Sequence, residues 1–169
     1  RGDGSCFEAV YEGGAISIDL PVPGRHMVTN ATLAIAVGLE LGVAPDAIAR
    51  GLAAVSITGG RLQFREVNGL SFLDDSYNAN PDSMHAALAT LKAINCNGLR
   101  VAVLGRMAEL GEASKVAHFE IGRAAAVDYG IDALYTVGEE AAEIARGFVA
   151  SGGERVHSCA THEACREML

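Results

Sequence analysis

The sequence predicts an α/β fold in which a mostly parallel sheet carries flanking helices. Three observations point there. From residue 62 onward strand-like and helix-like runs alternate, and a β-α-β-α rhythm implies parallel strands joined by right-handed crossovers. A polar string, Asp74-Asp75-Ser76-Tyr77-Asn78-Ala79-Asn80-Pro81-Asp82-Ser83, joins a short apolar run to a helical one. Such joints line the crevice where open α/β sheets bind ligands. Finally, 50% of the 169 residues are hydrophobic, enough for a sizeable core.

The chain opens with two strand-like runs, residues 6–11 and 15–20, around a Glu12-Gly13-Gly14 turn. Residues 28–41 are apolar nearly all round, which predicts a buried helix ending at Gly42. Pro45 and Asp46 open a second helix running to about residue 55. Thr58-Gly59-Gly60-Arg61 is a glycine joint followed by a lone arginine, while Arg65 lies in a strand-like run and is expected to face solvent.

Residues 64–67 and 70–73 flank Asn68-Gly69, a strong hairpin signal, and the second of them reads as a buried strand. Asn80 before Pro81 is an N-cap followed by proline at the first helical position. Met84, Ala87, Leu88, Leu91 and Ile94 then recur at helical spacing. Strands follow at 100–105, 133–138 and 155–158, and helices at 114–129, 139–150 and from 161. Parallel strands share a direction, so the loops after Leu73, Leu104 and Val137 are expected at one edge of the sheet.

With 13 basic against 21 acidic residues the formal charge is −8, and no basic cluster suggests nucleic acid. No apolar run approaches the roughly 20 residues that span a bilayer, so no membrane partner is expected. Cys6, Cys96, Cys159 and Cys165 form no Cys-x-x-Cys pair and are expected to be free, buried thiols of a reducing cytoplasm. Cys159 and Cys165 bracket His162, but the spacing is not that of a structural zinc site.

Taken singly, the residues of the polar string are turn formers, and His26 and Asn30 belong to a helix opening. Three strings together resemble the Mur ligase family. Asp74-Asp75-Ser76-Tyr77-Asn78-Ala79-Asn80-Pro81 resembles the loop opening its C-terminal domain, most of all in the members that add D-alanyl-D-alanine to a UDP-N-acetylmuramoyl-tripeptide. Gly24-Arg25-His26-x-x-x-Asn30 is similar to a Gly-x-His-Asn-x-x-Asn pattern of the central domain, with Met27 in place of the first asparagine. Gly105-Arg106-Met107-Ala108-Glu109-Leu110-Gly111 is similar to a Gly-(Asp/Asn)-Met-x-Glu-Leu-Gly loop, with Arg106 departing from it.

The resemblance implies a Rossmann-like C-terminal domain over residues 59–169, cut short of its last strand and helix. Residues 1–58 would be the trailing part of an ATP-binding central domain. It implies an ATP-dependent, Mg2+-requiring amide ligase of peptidoglycan synthesis, cytoplasmic and monomeric. Asn30 would read adenine with His26 beside it, and Asp75 would hold the ribose hydroxyls. Arg61 would be the catalytic phosphate contact, since a guanidinium offers paired donors and keeps its charge. Asn78 and Asn80 would be secondary nucleotide contacts. Tyr77 and Glu109 would meet substrate, and His118 would serve substrate or domain contacts.

No Gly-x-x-x-x-Gly-Lys-(Ser/Thr) string occurs, so the phosphate-cradling loop and the metal ligands are expected outside this chain. Two other readings stay open. A phosphoacceptor signalling domain would need an aspartate where Gly105-Arg106 stands and a lysine where Gly138-Glu139 stands. A non-catalytic binding domain would keep the fold without the chemistry.

Overall fold

The computed structural model describes residues 4–56 and 59–169. It divides into two compact units, Arg1–Tyr77 and Asn78–Leu169. The division falls beyond the joint expected at residues 58 and 59, because the hairpin and the polar string as far as Tyr77 cluster with the first unit. Thr58 of that joint lies outside the described residues.

In the first unit β1 (Ser5–Tyr11) and β2 (Gly14–Leu20) pair antiparallel, Tyr11 opposite Gly14. Alternation along β2 sends Ile16, Ile18 and Leu20 inward against Val22, Ala31, Ile35 and Ile48. Ala31 and Ile35 come from α1 (Arg25–Glu40), and Ile48 from α2 (Pro45–Ala53), whose first position is the expected proline. The expectation of an all-round buried α1 is overturned. Only one stripe is buried, and Leu33 and Val37 are 63% and 60% exposed. Hydrophobicity on every side permits burial on every side, but this unit packs α1 through one face.

β3 (Gln63–Val67) and β4 (Leu70–Asp74) form the expected hairpin. Asn68 and Gly69 both take positive φ, 53° and 79°, which a two-residue type I′ turn requires. Two expectations fail here. Leu70 and Phe72 are exposed, so β4 is not a buried strand. Among the described residues β4 pairs with β3 alone, so the loop after Leu73 does not leave from the parallel sheet. A tight turn dictates the antiparallel neighbour locally, whereas nothing in four apolar residues names a parallel one.

The second unit holds a parallel sheet in the order β5 (Val101–Leu104), β6 (Ala133–Val137), β7 (Val156–Cys159). Its helices are α3 (Pro81–Ala93), α4 (Ser114–Val127), α5 (Ala142–Ala150) and α6 (His162–Met168). Its core gathers Met84, Leu88, Ile121, Leu134, Ile144 and Phe148, taken from α3, α4, β6 and α5. The loops after β5 and β6 share the carboxyl edge of this sheet, as expected of parallel neighbours.

The start of α3 shows how the polar string folds. The Asn80 side-chain oxygen accepts from the Ser83 N–H at 2.9 Å, and Ser83 Oγ accepts from the Asn80 N–H at 3.0 Å. The two groups satisfy reciprocal orphan donors in a capping box. We expect Asn80→Ala to destabilise the protein by about 1 kcal/mol in urea titration, and Asn80→Asp far less, since aspartate caps equally well. Equal losses would rule the cap out as the cause.

Candidate functional site

The candidate site in the first unit is built where residues 60–62 dock on residues 75–77. The Tyr77 N–H donates to the Gly60 carbonyl at 2.8 Å. The Leu62 N–H donates to Asp75 Oδ1 at 3.1 Å. Gly60 and Leu62 take φ of 76° and 47°, so the backbone turns sharply on both sides of Arg61. The Arg61 guanidinium lies over the Tyr77 ring, its carbon 4.2 Å from the centroid.

The two adjacent carboxylates do different work. Asp74 Oδ1 accepts from the Ser76 N–H at 3.2 Å and from Ser76 Oγ at 2.7 Å, and its other oxygen stands 3.6 Å from Arg65. Asp74 therefore closes the turn. Asp75 is half-buried, and burial pushes its carboxyl above the ordinary aspartate range. The Leu62 N–H, His26 and Arg61 oppose that rise, while Asp74 reinforces it. Arg65 is exposed, as expected, and donates across the surface to Gln63 Oε1 at 2.7 Å.

His26 occupies the first turn of α1 and Asn30 stands four residues on, along the same side of the helix. Asn30 is exposed, and its amide approaches only the Met27 sulfur, at 3.9 Å, among the described residues. Arg61 also lines a cleft of about 690 Å³ with Asp19, Leu20 and Arg65. So the structure gathers Arg61, Asp75 and Tyr77, with His26 near enough to act on Asp75's charge.

The remaining candidates belong to the second unit. The Asn78 side-chain oxygen accepts from the Ala79 N–H at 2.9 Å, and that of Asn80 is held in the capping box. Glu109 is exposed on the loop after β5, with φ 64°. His118 is not a surface contact, because it is 0% exposed. Its Nε2 accepts from the Met107 N–H at 2.9 Å, and its Nδ1–H donates to the Ser114 carbonyl at 2.7 Å. Those bonds assign the tautomer and make the ring an internal pin for the Glu109 loop. The helical spacing of His118 could not say which side of α4 faced inward.

Of the cysteines, Cys159 and Cys165 are buried and free as expected, but Cys6 and Cys96 are exposed. Among the described residues no cluster of three or more histidine, cysteine or acidic side chains could hold a metal ion. Asp75 keeps a second oxygen as an acceptor, and the Arg61 N–H groups meet no acceptor among the described residues, so both stay open to a polar ligand. No helix among the described residues is long and apolar enough to cross a membrane.

Comparison with known proteins settles the family. The profile of the Mur ligase glutamate ligase domain matches residues 60–169. This chain belongs to the Mur ligase family. One curated relative is the UDP-N-acetylmuramoyl-tripeptide--D-alanyl-D-alanine ligase of Bacillus subtilis, 40% identical over 129 residues, or 76% of this chain and 28% of that protein. The Escherichia coli enzyme of the same name is 41% identical over 138 residues, 81% of this chain and 30% of its own length. A crystal structure of MurF from Acinetobacter baumannii superposes with a TM-score of 0.85 at 34% identity, covering 99% of this chain and 35% of that one. The chain thus spans less than a third of the length of these curated relatives.

Two participants in this Mur ligase chain escaped the sequence reading. Leu62 supplies the N–H that anchors Asp75, and no side-chain pattern announces a backbone donor. Glu140, in the loop after β6, accepts from Arg106 at 3.1 Å and from Ser114 Oγ at 3.4 Å. The Glu139-Glu140 pair after Gly138 was a visible acidic signal for a partner to the atypical Arg106.

Proposed function

We propose that this chain is part of an ATP-dependent ligase that adds D-alanyl-D-alanine to UDP-N-acetylmuramoyl-tripeptide, a cytoplasmic and monomeric enzyme of peptidoglycan precursor synthesis. Residues 1–58 are then the trailing part of its central domain and residues 59–169 its C-terminal domain. The observation that carries this reading is the docking of Arg61 onto the Asp75 loop. It sets Arg61 on the Tyr77 ring and the next residue's N–H on Asp75, in a chain about 40% identical to ligases named for that reaction.

ATP supplies the phosphoryl group that makes the tripeptide carboxylate an electrophile for the incoming amine. The residues of this chain bind and orient. Asp75 accepts from the ribose hydroxyls, Asn30 reads adenine with His26 beside it, and Arg61 neutralises phosphate charge. Glu109 is the substrate-side candidate, with Asn78 and Asn80 as minor nucleotide contacts. The phosphate loop and the Mg2+ ligands are supplied by other parts of the enzyme.

Mass-spectrometric detection of the UDP-muramoyl-pentapeptide made by the full-length protein tests the reading. A folded full-length protein that makes none would favour a binding domain without chemistry. The 169 residues alone are expected not to hydrolyse ATP, because positioning the γ-phosphate is most of phosphoryl-transfer catalysis. Release of labelled phosphate by the pure chain, lost on Asp75→Asn, would contradict this.

A further inference from the structure

We propose that Tyr77 is a positioning residue for Arg61, its ring holding the guanidinium in the plane from which it meets an anionic phosphate. The inference rests on the reading of Arg61 as the phosphate contact, and it gives Tyr77 a different principal task from touching substrate. Five observations support it. The guanidinium carbon sits 4.2 Å from the ring centroid, close enough for a cation–π contact. The Tyr77 N–H is tied to the Gly60 carbonyl at 2.8 Å, so the residue before Arg61 is bonded to the residue whose ring Arg61 covers.

The same approach needs Gly60. A Cβ there would lie 3.0 Å from the Tyr77 nitrogen and 3.1 Å from Ser76 Oγ, at a φ of 76° that side chains resist. On the far side of Arg61, Leu62 is tied to Asp75. Ring and cation are thus brought together by backbone bonds on both flanks, rather than by the chance meeting of two long side chains. Finally, a guanidinium lying on an aromatic face keeps its N–H groups around its rim. Among the described residues no acceptor takes those N–H groups, so they stay available to an oxyanion.

Tyr77 is 64% exposed, so replacing it removes no core. The test is steady-state kinetics of the full-length enzyme with Tyr77→Phe, Tyr77→Leu, Arg61→Ala and the Arg61→Ala/Tyr77→Leu double variant. Tyr77→Phe keeps the aromatic face and should stay within about twofold of the parent, whereas Tyr77→Leu should lower kcat/KM for ATP about tenfold. KM for the tripeptide and the dipeptide should not move. The double variant should be no worse than Arg61→Ala, because the ring acts only through the arginine.

Multiplying losses in the double variant, a shifted KM for either peptide substrate, or equal damage from phenylalanine and leucine would each overturn the proposal. If Arg61→Ala is impaired while Tyr77→Leu is normal, the positioning role falls and the reading of Arg61 stands. If Arg61→Ala is fully active, that reading falls and takes this proposal with it.

Discussion

Gly147→Ala, like Gly122→Ala, is expected to lower the melting temperature of the second unit sharply. Gly147 of α5 and Gly122 of α4 face each other's helix backbones. A Cβ on Gly147 would overlap the Phe119 carbonyl and lie 3.1 Å from the Arg123 nitrogen. A Cβ on Gly122 would overlap the Ile144 carbonyl and lie 2.8 Å from the Phe148 nitrogen. Backbone cannot swing aside as a side chain does, so the helices must separate. Separation loosens Ile121, Ile144 and Phe148, all within 1% of complete burial.

Overpacking costs about 1–3 kcal/mol in general, and backbone clashes put this case at the upper end. For a unit of this size that is a fall of roughly 10 °C or more. Gly51→Ala is the control. It lies inside α2 with nothing within 4 Å of a Cβ, so alanine should stabilise the first unit by about 0.5–1 kcal/mol through helix propensity. Thermal melts followed by circular dichroism decide it. A Gly147→Ala protein melting with the parent would show that the two helices need no close approach.

Asp75→Asn is expected to weaken ATP-analogue binding by the full-length enzyme roughly ten- to a hundredfold, the equivalent of about 1.5–3 kcal/mol for a charged acceptor. Asp74→Asn should cost far less, because Asp74 is engaged with Ser76 and Arg65. Folding does not confuse the comparison. Burial raises the Asp75 carboxyl, so the folded chain holds that proton more tightly than the unfolded chain does. The group therefore favours the folded state in acid, and that contribution is lost as pH rises through its folded value.

An amide at position 75 keeps an oxygen for the Leu62 N–H without burying a charge. Asp75→Asn should then melt no lower than the parent at neutral pH, and any advantage should shrink on acidification. Isothermal titration with an ATP analogue, beside melts at two pH values, reads both effects. Stronger weakening from Asp74→Asn than from Asp75→Asn, with both proteins folded, would reverse the assignment.

Much of this protein was legible in its sequence wherever the cause is local. The Asn68-Gly69 hairpin, the Asn80-Pro81 helix start and the strands and helices after residue 100 each follow from turn chemistry, capping or periodicity over a few residues. The strings carrying the family likeness are contiguous too, so Asp75 and Tyr77 could be named as candidates before any fold was known. Which neighbours those residues keep was not written locally. β4 is short and apolar, yet it pairs only with β3 among the described residues and leaves Leu70 and Phe72 exposed. α1 is apolar all round, yet buries one stripe.

His118 shows the same division, since its spacing on α4 suits a surface contact equally well. Only the packing of α4 turned it inward to meet the Met107 N–H. The elements, their turns and the chemical candidates follow from the order of residues alone, because propensity and hydrogen bonding act between near neighbours along the chain. That Leu62 holds Asp75 and that Arg61 lies on Tyr77 emerges only once the chain is folded. Those contacts join residues more than a dozen positions apart, and the backbone N–H groups that help set them are carried by nearly every residue and marked by no sequence pattern.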